Sequence, residues 1–422
     1  KFTDIENVAL VEKEEELGEI NSHHTMNSQT LHFGDIETNY SLEKAKEVKE
    51  GSEMVAGYLE DKDPERKMHS KRSKMVLAVG DSEVEKLEKR YDEEGFGDLY
   101  PKLEKIGRED LEEIEPKVVD GRETGKEMLA LQTPDGYTVD YGKVTKSFAR
   151  EVQDNGSAEI FTDEKVQSIR DDEEGFTVKT SDREIKSDVV VVSAGPQTLK
   201  FAKKMGYGEH MSLLPIAGSF FLAEKGYLNG KVYTLQMKGL PFAAVHGDAD
   251  VHDQGITRFG PTAKLVPTLE RGKLSTILGF LQAFNLDLNG FLSYANVLWD
   301  RTLFSYVIKN LVYDLPLVGR AAFLPHVKKV VPEAGFTDIK RAKGYGGVRP
   351  QIVDTERRSL DLGEARIDGE KILFNITPSP GASNCLKNAL KNTEQVVEFF
   401  DGEHSFDEEA FREETIENFP RK

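Results

Sequence analysis

Apolar residues are distributed along this chain as short β-branched runs alternating with longer helical stripes. Val8-Ala9-Leu10-Val11 is an aliphatic run closed by Glu12 and a charged turn to Gly18, the pattern of a buried strand with an acid at its carboxyl end. From Ser41 to Leu59 apolar positions recur at helical spacing, and Ser41 and Glu43 stand where a cap and a first-turn acid belong. After the polar stretch 61–72, Met75 to Val79 predicts another strand, and 82–116 is helical and heavily charged, with breaks at Gly95 and Pro101. Val139 to Gln153 predicts an amphipathic helix, Ile160 and Phe161 a strand, and Phe176 to Thr180 one arm of a hairpin. Asp188 is followed by four valines, which predicts a strand buried on both faces of a parallel sheet. Residues 213–260 predict short antiparallel strands, and 264–324 predict helices. Lys371 to Ile376 predicts a strand that leads through Thr377–Ser383 into a helix ending near Phe400, with 401–422 as an acidic surface tail. The alternation of strand and helix predicts an α/β protein.

Composition narrows the choice of partner. The 422 residues include 56 basic and 75 acidic side chains, a formal charge of −19, and such a balance repels polyphosphate and excludes nucleic acid. The single cysteine, Cys385, forms neither an internal disulfide nor a thiolate metal cage, which fits a reducing compartment. Between Lys1 and Lys13 there is one short apolar run among charges, unlike a signal peptide. The stretch from Thr276 to Trp299 is rich in Leu and Phe, but Asn285, Asp287, Asn289 and Gly290 interrupt it too often for a span of about 20 residues. The longer helical stretch 276–324 reads as the buried roof of the substrate domain, with a membrane-contact surface as the rival reading.

Candidate chemistry starts at strand ends. Ser193-Ala194-Gly195-Pro196 places small residues at the carboxyl end of the valine strand, where α/β sheets hold ligands. Glu12 stands like the ribose-binding acid of a dinucleotide fold, in which a glycine-rich phosphate loop precedes the acid by about 20 residues. Only eleven residues precede Glu12, so the sequence reads as short of one strand and one phosphate loop at its amino end. The segment Asn21–Gly34 crowds hydroxyls, amides and three histidines directly after the first strand. Its donors suit a pyrophosphate at a helix start. His23, His24 and His32 lack the i, i+4 spacing of a helical zinc pair and have no nearby thiolate, so no metal is expected.

The run His32-x-Gly34-x-x-Glu37-x-Asn39-Tyr40, with Asn27-Ser28-x-Thr30 ahead of it, resembles the malate:quinone oxidoreductase family of glycine-oxidase-like flavoproteins. The resemblance continues through Glu115-Pro116, Val191–Gly195, Pro241–His246, Phe259–Ala263, Gly344–Gln351 and Thr377–Ser383, in order along nearly the whole chain. It implies a Rossmann-like FAD-binding domain (1–60, 136–209 and 341–400) interleaved with an antiparallel-sheet and helix substrate domain (61–135 and 210–340). By the same resemblance Glu12 holds the adenosine ribose, Ser22, Asn27, Ser28, Thr30 and His32 lie near the pyrophosphate and flavin, and Val166 flanks the adenine. Ala194, Gly195 and Gly347 back the cofactor. Pro380, Gly381, Ala382 and Ser383 open the last helix, whose amides stabilise the N1/O2 edge of a reduced flavin.

Oxidation of a 2-hydroxy acid needs a base for the hydroxyl proton and cations for the carboxylates. His246 is the first candidate base, since an imidazole titrates near neutrality, and His32 is its rival. Arg349, after a glycine-rich turn, suits a bidentate carboxylate clamp, and Arg258 a second one. Two arginines fit a small dicarboxylate 2-hydroxy acid. Cys385 reads as a packing residue. The expected activity is FAD-dependent oxidation of (S)-malate to oxaloacetate with a quinone as acceptor, by a cytoplasmic enzyme peripheral on the inner face of the cell membrane. The alternatives are an L-2-hydroxyglutarate dehydrogenase or oxidase, and a non-catalytic flavoprotein-like binding protein.

Overall fold

A computed structural model describes residues 1–156, 158–236, 244–299, 301–361, 363–417 and 419. Its largest element is a mixed sheet of eight strands in the spatial order Ile339–Arg341, Phe221–Ala223, Thr257–Gly260, His246–Ala249, Lys231–Thr234, His69–Val79, Met128–Val139 and Glu104–Ile106. Every neighbouring pair is antiparallel except Lys231–Thr234 beside His69–Val79. Met75, Leu77, Val232 and Phe259 bury one face of this sheet beneath the helix Val318–Val330, through Phe323, Val327 and Val330. Val76, Ala78, Leu131 and Tyr233 bury the other face beside Ile36 and Phe96. Strand side chains alternate between faces, so one sheet supplies two cores.

Smaller sheets make up the remainder. Val8–Val11 pairs in parallel with Ala158–Phe161, and Val190–Val192 in parallel with Ile372–Ile376, which also pairs antiparallel with Ala365–Asp368. Ser168–Asp172, Gly175–Lys179 and Glu184–Ser187 form an antiparallel meander. Met211–Ala217 and Val348–Asp354 lie side by side over seven residue pairs, so the segment after the glycine-rich turn shares a sheet with the segment starting at 211. The helix Leu42–Lys62 begins where the sequence places it, with Ser41 Oγ accepting from the Lys44 amide at 3.2 Å.

Three expectations change. Val8–Val11 is a strand but not a buried one, with Val8 47% and Leu10 40% exposed, because among the described residues it pairs along one edge alone. The valine strand is likewise an edge strand, with Val191 exposed, since among the described residues only Ile372–Ile376 pairs with it. The segment 401–422, expected as a surface tail, contains the helix Glu408–Arg412 and one wider turn, Glu413–Glu417. Phe411 packs with Met54 and Leu390, and Thr415 is buried against Gly57 in the first long helix. Apolar side chains spaced through an acidic stretch are enough to dock it.

The stretch read as a roof is two-sided. Its helices Ile277–Ala283, Leu288–Trp299 and Arg301–Tyr313 turn Ala283, Tyr294 and Val297 inward, while Leu278, Phe291, Trp299 and Phe304 are exposed, Trp299 by 85%. The buried-roof reading therefore covers only the inner face. No helix among the described residues is long and apolar enough to cross a membrane.

Candidate active site

The segment Asn21–Tyr40 has almost no regular structure, so its backbone groups need partners from elsewhere. Asn27 turns its amide inward and donates to the carbonyls of Asn21, Ser22 and His23 at 3.0–3.2 Å, while its Oδ1 accepts from the Gln29 amide at 2.9 Å. The fully buried Arg258 donates to the carbonyls of His24 at 3.3 Å and Asn27 at 2.6 Å, pairs with Asp250 at 3.7 Å and lies over the Phe220 ring. Arg258, expected as a carboxylate clamp, thus sits behind the loop and fixes its shape.

The following run is held just as tightly. Lys74, fully buried, pairs with Asp35 at 2.8 Å and lies over the Phe33 ring. Arg90 donates to the carbonyls of Glu37 and Tyr40 at 2.8 and 3.1 Å, and the Tyr100 hydroxyl to that of Phe33 at 2.7 Å. Within this frame His32 Nδ1 meets Glu37 Oε1 at 2.5 Å, and its Nε2 lies 3.3 Å from Ser28 Oγ. Burial alone would raise the Glu37 carboxyl; its contacts with His32 and Lys74 outweigh burial and hold it below its ordinary value. A buried carboxylate on Nδ1 fixes the imidazole tautomer and leaves Nε2 as the accepting atom.

Four separated segments meet at this loop. The amides of Gly346 and Gly347 donate to the carbonyls of Thr25 and Met26 at 2.8 and 2.7 Å. Gly346 has φ +91°, and a Cβ there would collide with the Gly218 carbonyl. Asn21 donates to the Val348 carbonyl at 3.2 Å and comes within 3.8 Å of where a Cβ on Gly195 would stand. The His32 amide donates to Ser383 Oγ at 2.9 Å, and Tyr141 donates from its hydroxyl to the Thr30 carbonyl at 2.9 Å. Ser193, Ala194 and Ala382 are exposed, and Gly195, Gly347 and Gly381 half-buried. A face of small, side-chain-poor backbone fits a flat cofactor that must come close. Glu12 ends the first strand, and its carboxylate accepts from the Glu14 amide at 3.0 Å. Val166 lies half-buried beside the core around Phe176 and Val192. Pro380 follows a cis peptide at the turn into the helix Cys385–Glu398. Cys385 packs beside Tyr58 and Leu59, and burial pushes its thiol up to about 12, the state of an unreactive packing residue.

His246 lies on the large sheet, one layer deeper. Tyr233 stacks on it at 4.2 Å, and the Tyr233 hydroxyl meets Thr30 Oγ1 at 2.8 Å. His246 Nε2 is 3.2 Å from Asp248 Oδ2, and Lys231 Nζ is 3.6 Å from the other oxygen. Burial lowers the imidazole, with Asp248 only partly opposing. Burial would raise Asp248, yet His246 and Lys231 hold it at about 2. Lys231 is pushed down to about 8 by burial. Tyr233, Lys231 and Asp248 carry no periodic signal in sequence and emerge only through the pairing of their strands. Arg349 is the second residue of Val348–Asp354, half-buried immediately after the glycine turn. Part of the Pro241–His246 run, 241–243, lies outside the described residues.

Residues 4–376 match the family model described as FAD dependent oxidoreductase, so the fold and site are those of a flavoprotein of that class. A solved L-alpha-glycerophosphate oxidase from Mycoplasma pneumoniae shares this fold, with a TM-score of 0.62 at 16% identity over 95% of this chain and 90% of that one. Glycine oxidase from Geobacillus kaustophilus matches with a TM-score of 0.60 at 15% identity, covering 96% and 91%. In sequence the chain is 39% identical to a probable malate:quinone oxidoreductase of Campylobacter jejuni over 99% of its own length and 94% of the relative's. It is 38% identical to malate:quinone oxidoreductase of Helicobacter pylori, covering 97% and 92%. Human mitochondrial L-2-hydroxyglutarate dehydrogenase matches at 25%, covering 93% and 84%. The chain belongs to the malate:quinone oxidoreductase family.

Proposed function

We propose that this protein oxidises (S)-malate to oxaloacetate and passes the electrons to a quinone. The observation that carries this reading is the 38–39% identity, over nearly the whole chain, to malate:quinone oxidoreductases, against 25% to the human 2-hydroxyglutarate enzyme. FAD, when bound, accepts the hydride equivalent from C2 of the substrate. Glu12, Ser22, Ser28, Ala194, Gly195, Gly347 and the turn Pro380–Ser383 are the residues that would hold it.

The geometry favours His32 over His246 as the base. His32 Nε2, 3.3 Å from Ser28 Oγ, takes the hydroxyl proton, while Glu37 keeps the proton on Nδ1 and stabilises the imidazolium that results. His246 is 3% exposed and stacked against Tyr233, and it belongs to the buried charge cluster beneath the site. Arg349 supplies the carboxylate clamp from the end of the glycine turn.

The exposed face formed by Leu278, Phe291 and Trp299 is the surface through which the protein meets the bilayer that carries the quinone. With a net charge of −19, this contact is apolar and local rather than electrostatic. Stopped-flow reduction of the bound flavin tests the substrate assignment. Bleaching by (S)-malate at least tenfold faster than by L-2-hydroxyglutarate is expected, in keeping with about 1–3 kcal/mol for one methylene. No bleaching with malate overturns it.

A further inference from the structure

We propose that His24, Asp140 and His252 form a site for one borderline divalent transition cation of the Zn²⁺ class, at the seam between the cofactor-side loop and the large sheet. One donor atom from each lies within 4.8 Å of the others. The three come from separate elements: the loop after the first strand, the start of the helix Tyr141–Asp154, and the turn between two strands of the large sheet. That separation is why the spacing of the histidines in sequence carries no trace of the site.

Each donor is set in place by contacts of its own. Asp140 Oδ1 accepts from the Lys143 amide at 3.1 Å as the helix cap, leaving Oδ2 to face His252 Nε2 at 2.8 Å. The His252 amide donates to Asp250 Oδ1 at 2.9 Å, and Asp250 is anchored in turn by Gln29 at 3.1 Å and Arg258 at 3.7 Å. The His24 carbonyl is held by Gln29 and Arg258, and its ring meets the His252 ring edge to face at 4.8 Å. Among the described residues nothing hydrogen-bonds the His24 imidazole.

Two imidazoles and one carboxylate suit Zn²⁺, Ni²⁺, Co²⁺ or Cu²⁺ and disfavour Mg²⁺ and Ca²⁺, which prefer all-oxygen shells. Metal–ligand bonds of about 2.0–2.1 Å put tetrahedral donors about 3.3 Å apart. The Asp140–His252 pair, at 2.8 Å, has to open by about half an ångström to reach that spacing, and a side-chain rotation of His24 closes the rest. A cation here replaces the proton shared between Asp140 and His252. Lys143 opposes it, with Nζ 3.9 Å from Asp140 Oδ2. Bound metal would tie the loop 21–28 to the large sheet independently of which hydroxy acid is the substrate.

Equilibrium dialysis of the flavin-loaded protein, cleared with EDTA and then exposed to ZnCl₂ or MgCl₂, tests the site. One Zn²⁺ per chain and no Mg²⁺ is the expected uptake. His24→Gln and His252→Gln should each weaken Zn²⁺ binding by about tenfold or more, as loss of a ligand does, while His404→Gln, at a residue that pairs with Asp4 at 3.1 Å and is no ligand, leaves it unchanged. Lys143→Met, which removes the opposing charge without touching a donor, should tighten binding about threefold or more. No stoichiometric zinc uptake by the wild type, or loss in only one of the two histidine variants, overturns the proposal. So does a Lys143→Met protein that binds no tighter.

Discussion

Tyr233 lies face to face on His246, with ring centroids 4.2 Å apart and planes 18° from parallel, and meets His32 edge-on at 6.3 Å. A single aromatic ring therefore separates the two histidines that sequence alone offers as bases. One side of it holds the Glu37–His32 pair, and the other a buried cluster of His246, Asp248 and Lys231.

His32→Asn should slow malate-driven flavin reduction by about 10²–10⁴-fold, the usual worth of a positioned base, with flavin content retained. His246→Asn should instead lower the thermal midpoint, with a much smaller effect on the reduction rate per bound flavin. Single-turnover flavin reduction and thermal unfolding measured on both variants decide this. A full reduction rate in His32→Asn returns His246 to first place.

Gly346→Ala should release the cofactor. At φ +91° an alanine is strained, and its Cβ runs into the Gly218 carbonyl, which pushes the turn off the loop carbonyls it bonds. The flavin-to-protein absorbance ratio of the purified variant measures the loss. A normal ratio would show that this turn does not shape the cofactor face.

Asp248 gives a signed dependence on pH. Its folded carboxyl is held at about 2, below its ordinary value of 3.8, so its contribution to stability is present above about pH 4 and lost as pH falls toward 2. Asp248→Asn should flatten acid unfolding in that window by on the order of 2 kcal/mol. Unfolding followed from pH 5 to pH 2 in both proteins is the check, and parallel curves would refute the pairing.

Phe291→Ser combined with Trp299→Ser should reduce co-sedimentation with lipid vesicles and lower turnover with a vesicle-borne quinone. Turnover with a water-soluble dye should stay the same, because both side chains are exposed and neither belongs to the core. Equal vesicle binding by variant and wild type would remove this face from the membrane contact.

Local patterns were readable where one segment decides its own structure. Ser41 caps its helix as its type requires, and the compact run from His32 to Glu37 holds both members of the pair placed at the reaction site. Met128–Val139, the longest strand, was missed because Thr-Pro-Asp-Gly at 133–136 reads as a turn. A bulge between Arg72 and Lys74 on the partner strand absorbs that irregularity and keeps the pairing. Arg258 was misplaced for a related reason: a cation near glycines looks alike whether it faces a substrate or, as here, two loop carbonyls of its own chain. Only the fold tells which carbonyls it meets.

The hydrogen bond from His32 to Ser383 joins residues 351 positions apart. Nothing made earlier in synthesis can stand in for Ser383, so the pocket around His32 stays unfinished until that part of the chain has left the ribosome. On the proposed cofactor placement flavin capture is a late event, and a translating or truncated chain that ends before this turn should fold much of its large sheet while remaining colourless.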